Sequence, residues 1–414
     1  MNIFVKLAVT AALTVIPLSS VAQPSNPYEL PDPLRMEDGR MVRNKRQWIN
    51  ERRPELMEML RSQMFGREPG ADAVPDMHFT VLEEGKDAFG GLATRKQVKI
   101  SFDKEENYYL VLLLYIPNDR KGPVPAFLGA NFKGNHATTT DPAVLLPTPE
   151  KLATFAPGYK LEERNTNGHR WEYEYILKHG YAVATFCYND VDPDYHDGFH
   201  NGIHQLIDGN KPRNGESWAT ISAWAWGLSR CLDYLETEKA IDGKRVAVLG
   251  HSRLGKTSLW AGATDQRFAL VISNDSGCSG AAIARRKSGE TVEVICRNFP
   301  HWFCTNYSAY GGREEKMPWD QHELIAMIAP RPVYVASASE DLWADPIGEY
   351  FSLVGAASVY RLFGYDGITD TTVPDVEHPV TVGRMGHHIR RGEHNVRLYD
   401  WEQYIRFADR FLKR

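Results

Sequence analysis

The chain is short of cysteine, of net charge and of long apolar runs, and each shortage excludes something. Five cysteines, Cys187, Cys231, Cys278, Cys296 and Cys304, are an odd number, so at least one is unpaired within the chain. One bridge among Cys278, Cys296 and Cys304 stays open, and a chain of 414 residues can bury enough core without any. A formal net charge of -5 offers no electrostatic footprint for nucleic acid or a membrane surface, so neither is expected as a partner. Past the first residues no apolar stretch approaches the roughly 20 needed to span a bilayer. There is no internal repeat, no dividing linker, and no H-E-x-x-H or H-x-H spacing of familiar zinc enzymes; no metal and no cofactor is expected.

What is present begins with a leader. Lys6, the apolar run Leu7 to Leu18 and Ser20-Val21-Ala22 before Gln23 read as a cleaved signal peptide over Met1–Ala22. No cysteine lies near the cut, which argues against a lipoprotein. Residues 23–414 then form one exported domain, secreted or periplasmic and expected as a monomer, with long loop insertions. Its 10 tryptophans and 19 tyrosines belong mostly to the core, although sugar-handling proteins also stack such rings on their substrates.

Along the chain, Arg43 to Gln63 has Trp48, Leu56, Met57 and Leu60 at near-helical spacing, an amphipathic helix on the outside. Strand-like runs at Met77–Leu82, Lys96–Phe102 and Tyr108–Ile116 suggest an antiparallel meander at one sheet edge. Val124–Ala130, Tyr181–Tyr188, Val246–Leu249, Phe268–Asn274 and Pro332–Ser337 are apolar runs of the buried parallel type. Helical spacing marks a long helix from Trp218 to Leu235 and a last one through Trp401, Tyr404, Ile405 and Phe411. Met385 to His394 reads as a loop before that last helix. Strand alternating with helix after an antiparallel start predicts an α/β-hydrolase fold, a three-layer αβα sandwich around a mostly parallel, doubly wound sheet.

The chemistry centres on Gly250-His251-Ser252-Arg253-Leu254-Gly255-Lys256-Thr257, which reads as strand, sharp turn and helix with a serine at the apex. The hydrolase elbow is G-x-S-x-G, and here the second glycine comes one place late. Gly255-Lys256-Thr257 also satisfies the phosphate-loop pattern, but an exported protein meets no ATP. Ligands of open α/β sheets sit beyond the carboxyl ends of the strands, so the polar residues there are the candidates. Asp275 follows one strand and Asp341 the next, and His387, His388 and His394 lie in the late loop. A serine needs a base, and the base needs a carboxylate to hold its tautomer. His394 is the expected base, with His387 and His388 weaker. Asp275 and Asp341 compete for the acid, and Arg253 puts a permanent cation beside the future oxyanion.

These stretches resemble the glucuronoyl esterases of carbohydrate esterase family 15. The resemblance rests on Gly250 to Lys256, Ser273 to Ala282, Ser339 to Pro346 and Arg391-Gly392-Glu393-His394, and it covers most of the mature chain. The family cleaves the ester between 4-O-methyl-glucuronate of glucuronoxylan and lignin alcohols, so that link is the implied substrate. The resemblance implies Ser252 as nucleophile, His394 as base and Arg253 facing the oxyanion. Asp275 matches the acid position of fungal members and Asp341 that of some bacterial ones, and their division of labour stays open. Lys256 and Glu290 resemble sugar-hydroxyl ligands, and Trp343 the aromatic that borders the uronate. His251 in place of a cysteine resembles the bacterial branch and implies that the fungal nucleophile-loop disulfide is absent. The rivals are an acetyl xylan esterase and a non-catalytic carbohydrate-binding protein on a hydrolase fold.

Overall fold

The antiparallel start is present in the computed structural model, which describes residues 29–413. The leader expected over Met1–Ala22 lies outside them. Strands β1 (His78–Asp87), β2 (Ala93–Ser101) and β3 (Tyr109–Pro117) form the meander, antiparallel throughout. The edge strand β1 is largely exposed and β3 almost wholly buried. Next come β4 (Val124–Asn131), β5 (Ala182–Cys187), β6 (Ile241–His251), β7 (Leu270–Asn274) and β8 (Val333–Ala338), followed by β9 (Val380–Val382) and β10 (Met385–Arg390). They build one sheet of 10 strands in the order β1-β2-β3-β5-β4-β6-β7-β8-β10-β9.

Successive side chains of the central strands enter different cores, as a strand's period of two requires. Ala126, Leu128, Val246, Val248, Val271 and Val333 pack with the helices Thr220–Leu235, Arg253–Thr264 and Pro346–Leu362. Phe127, Ala247, Leu249, Ile272 and Tyr334 pack on the other face with Tyr173–Lys178 and Leu398–Leu412. Helices on both faces explain why these strands carry unbroken apolar runs. This is the three-layer α/β-hydrolase architecture. Ahead of it, helical turns run from Lys45 to Phe65, with Trp48, Leu56 and Leu60 fully buried.

One expectation needs correction, and one open question is answered. Met385–Arg390 is not loop but a buried strand, parallel to β8. Its polar residues hid the apolar signal, and all their side chains find partners inside, although His387 Nε2 has none. His387 donates from Nδ1 to the Val335 carbonyl at 2.9 Å, and burial pushes its ring down to about 3, so it stays neutral. His388 accepts from the Tyr334 hydroxyl at 2.9 Å and donates to Asp400 at 2.8 Å. Neither histidine is available as the base. The bridge left open among Cys278, Cys296 and Cys304 is not formed, and all five cysteines are free thiols.

Candidate active site

Strands β6, β7, β8 and β10 are neighbours and run parallel, so their carboxyl ends share one rim. Ser252 follows β6, Asp275 follows β7, Asp341 lies three residues past β8, and His394 four past β10. With neighbouring strands about 4.8 Å apart, residues distant in sequence meet there.

The elbow is strained where the chemistry needs exposure. Ser252 has φ 59° and ψ −129°, a conformation that side chains other than glycine's rarely adopt. Gly250 is obligatory, since a Cβ there would lie 1.8 Å from the Leu254 carbonyl oxygen. Gly255 has a different task. Its absent Cβ would meet Ser276 Cβ at 2.9 Å and the Asn274 carbonyl at 3.1 Å, so the late glycine lets the elbow helix cross the end of β7. The turn is no phosphate cradle. The Ser252 N–H donates to the Asn274 carbonyl at 2.9 Å, and those of Gly255 and Lys256 donate to the Ser252 carbonyl at 2.8 and 3.2 Å.

Ser252, Arg253 and His394 line one cleft of about 410 Å³, with Asp194, Tyr159 and Arg170 among its walls. His394 is 42% exposed in its side chain and donates from Nδ1 to Asp341 Oδ2 at 2.5 Å. Its Nε2 is left for a proton exchanged with substrate or Ser252. The two acids differ in surroundings. Asp275 is fully enclosed, accepts only a 3.3 Å bond from the Asn395 N–H, and keeps its Oδ1 unpartnered. Burial first, then the carboxylates of Glu349, Asp341 and Asp400, push its carboxyl well above the usual range against the pull of Arg390. A carboxyl whose charged form is disfavoured in this way is the poorer partner for an imidazolium. The carboxylate bonded to His394 is Asp341.

Arg253 is anchored by residues that sequence reasoning did not single out. Its guanidinium donates to Asp194 and sits over the Trp302 ring, 4.8 Å from the centroid. Asp194 also accepts from His301 at 2.9 Å, Trp302 Nε1 at 2.7 Å and the Tyr188 hydroxyl at 3.0 Å. Burial alone raises its carboxyl, but the His301 bond, the Arg253 charge and the Trp302 bond outweigh it and hold the group at about 2. The Asp194 carboxylate therefore stays ionised at pH values well above that. The signal for Asp194 was its place in the polar run after β5; nothing local marks His301 and Trp302, which come from a loop between β7 and β8.

The residues expected at the sugar sit beside the triad rather than in the cleft lining. Lys256 is buried and donates to the Ser276 and Cys278 carbonyls at 2.5 and 2.7 Å, with Glu290 3.9 Å away. Burial pulls its ammonium below the usual lysine range. Trp343 is 56% exposed, two residues past Asp341, and its carbonyl accepts from the Glu290 N–H at 3.0 Å. Gly289, at φ 67°, permits that approach, since a Cβ there would come within 2.3 Å of the Trp343 oxygen.

Comparison with known proteins places the chain in a family. A solved structure described as a promiscuous CE15 esterase from the marine bacterial metagenome is 45% identical, has a TM-score of 0.83, and is matched over 93% of this chain and 97% of its own. A curated carbohydrate esterase from an unknown prokaryotic organism is 46% identical over 394 residues, 93% of this chain and 90% of its own length. The chain belongs to carbohydrate esterase family 15. A second family 15 likeness is to the glucuronoyl esterase from Solibacter usitatus, 41% identical with a TM-score of 0.86, covering 93% of this chain and 98% of that one. The family model for fungal glucuronyl esterases matches residues 172–364, a span that contains Ser252, Asp275 and Asp341 and stops short of His394.

Proposed function

We propose that the protein is a serine esterase that hydrolyses esters of glucuronate and 4-O-methyl-glucuronate, as in the lignin–carbohydrate links of glucuronoxylan. The observation that carries this reading is His394 bonded to the buried Asp341 in the cleft that also holds the strained Ser252. Ser252 Oγ attacks the ester carbonyl carbon while His394 Nε2 takes its proton. Asp341 stabilises the imidazolium, and Arg253 faces the oxyanion. The imidazolium then protonates the departing alcohol oxygen, leaving a uronoyl ester on Ser252. Water, deprotonated by His394, hydrolyses that ester and releases the uronate and the free serine.

The uronate preference draws on relatives of the chain. A 4-O-methyl-glucuronoyl methylesterase from Wolfiporia cocos is 37% identical over 180 residues. In this reading Trp343 borders the uronate ring, and Lys256 and Glu290 serve its hydroxyls. Export by the Met1–Ala22 leader is part of the same reading, and no helix among the described residues is long and apolar enough to cross a membrane.

Hydrolysis of benzyl glucuronate in preference to benzyl galacturonate is the test; acetate release from acetylated xylan with no action on glucuronate esters would overturn the proposal. Arg253→Gln is expected to lower kcat by about 10²- to 10³-fold with little change in KM, the usual cost of losing one oxyanion donor. For Lys256→Met the expected result is the opposite split. KM for glucuronate esters rises about tenfold while kcat holds, one lost sugar hydrogen bond being worth about 1.5 kcal/mol. A fall in melting temperature with KM unchanged would reduce Lys256 to a support for the Ser276–Cys278 turn.

A further inference from the structure

The base His394 stands in the segment Arg391–Asn395, which has bends but no regular secondary structure. A loop so placed has no ladder to hold its histidine, yet a misplacement near 1 Å costs a catalyst about 10²-fold. The Glu340 N–H donates to the Gly392 carbonyl at 2.9 Å and the Gly392 N–H to Ser339 Oγ at 3.2 Å, and the carbonyls on either side of His394 are held by a buried side chain at the end of β10. Arg390 donates from Nη1 to the Arg391 carbonyl at 2.7 Å, and from Nη2 to the carbonyls of Glu393 at 2.8 Å and Asn395 at 2.9 Å. The last two bracket His394. Gly392 leaves room for this fork, since a Cβ there would lie 3.2 Å from Arg390 Nη1.

The fork is itself aimed. Arg390 Nε donates to Asp400 Oδ2 at 3.0 Å. Asp400 is wholly buried and also accepts from His388 at 2.8 Å, from the Arg397 N–H at 2.7 Å and from Asn274 at 3.4 Å. Asn274 in turn accepts from His251 Nδ1 at 2.6 Å, and the His251 ring packs on that of His394 with centroids 4.4 Å apart. One chain of contacts thus joins the turn of the nucleophile to the loop of the base.

We infer that Arg390, oriented by Asp400, is the positioning residue for the base His394. A plain counter-ion for Asp400 and Asp275 needs only nearness. Arg390 instead directs one donor at Asp400 and the others at three carbonyls spread across the loop, a use that depends on the rigid planar fork of arginine and that the point charge of lysine cannot copy. The inference rests on the proposed role of His394 and is separable from it.

The test is made on the full chain with Arg390→Lys and Arg390→Ala, using benzyl glucuronate. Arg390→Lys retains the buried positive charge, so the expected result is a kcat about 10²-fold lower with KM and the melting temperature little changed. The downfield imidazole proton of the His394–Asp341 bond should shift or broaden in its NMR spectrum. Guanidinium at sub-denaturing concentration should restore part of the kcat of Arg390→Ala, and methylammonium should not. Wild-type kcat in Arg390→Lys overturns the inference, as does a kcat loss that only follows a loss of folded protein. If His394→Ala remains active, the esterase reading itself fails.

Discussion

Ser252→Ala is expected to lower kcat by about 10⁶ while the protein stays folded, the cost of losing the nucleophile from a serine triad. The size of the effect follows from the division of labour at the elbow. Without Oγ there is no acyl-enzyme, and what remains is Arg253 and the binding cleft, which together retain about 10³- to 10⁴-fold over water. The fold should survive because no hydrogen bond of the Ser252 hydroxyl supports it, and alanine keeps the same backbone. Ser252→Gly adds a second expectation. The left-handed conformation at φ 59° costs of order 1–3 kcal/mol for a residue with a side chain, and glycine escapes most of it. Even after glycine's greater loss of chain entropy, the variant should be more stable by about 1 kcal/mol and equally inactive. Calorimetry and a single-turnover assay on benzyl glucuronate check both. A less stable Ser252→Gly would mean that the turn is not strained.

Asp341→Asn should cost about 10⁴ in kcat, whereas Asp275→Asn should cost less than about tenfold. An amide at 341 can no longer balance the imidazolium and invites the wrong tautomer of His394. At 275 the change is mild, because burial and three neighbouring carboxylates already disfavour the charged form. The Asp275 side chain accepts one long bond from the Asn395 N–H, which an amide oxygen can also accept. Paired kcat measurements decide the matter; equal losses in the two variants would mean that the acids share the work, and a larger loss at 275 would reverse the assignment.

The elements most legible in the sequence were those whose environment is local. Central strands between two helical layers must be apolar on both faces, so β4 to β8 announced themselves as unbroken runs, and the amphipathic last helix did so by its period. The strand Met385–Arg390 did not. Its histidines and arginine are polar, and only the carbonyl of Val335, the hydroxyl of Tyr334 and the carboxylate of Asp400, all distant in sequence, make their burial affordable. The same holds for Lys256, whose burial rests on the carbonyls of Ser276 and Cys278, which its ammonium meets only in the folded chain.

At the elbow the sequence alone determined the nucleophile's turn, because Gly250, Ser252 and the following helix interact within a few residues. It also determined which types of group had to meet it, an acid and a histidine beyond strand ends in the chain order serine, aspartate, histidine. Only the tertiary structure shows which of two acids of the same type bonds to His394. That choice depends on the distance to His394 and on how much negative charge lies nearby, and neither is a property of any one stretch of chain. The anchors of the site, Asp194 under Arg253 and Arg390 behind His394, were hidden for the same reason: a hydrogen bond is made by atoms in space, and its partners here lie 59 residues apart or are backbone carbonyls that no sequence pattern marks.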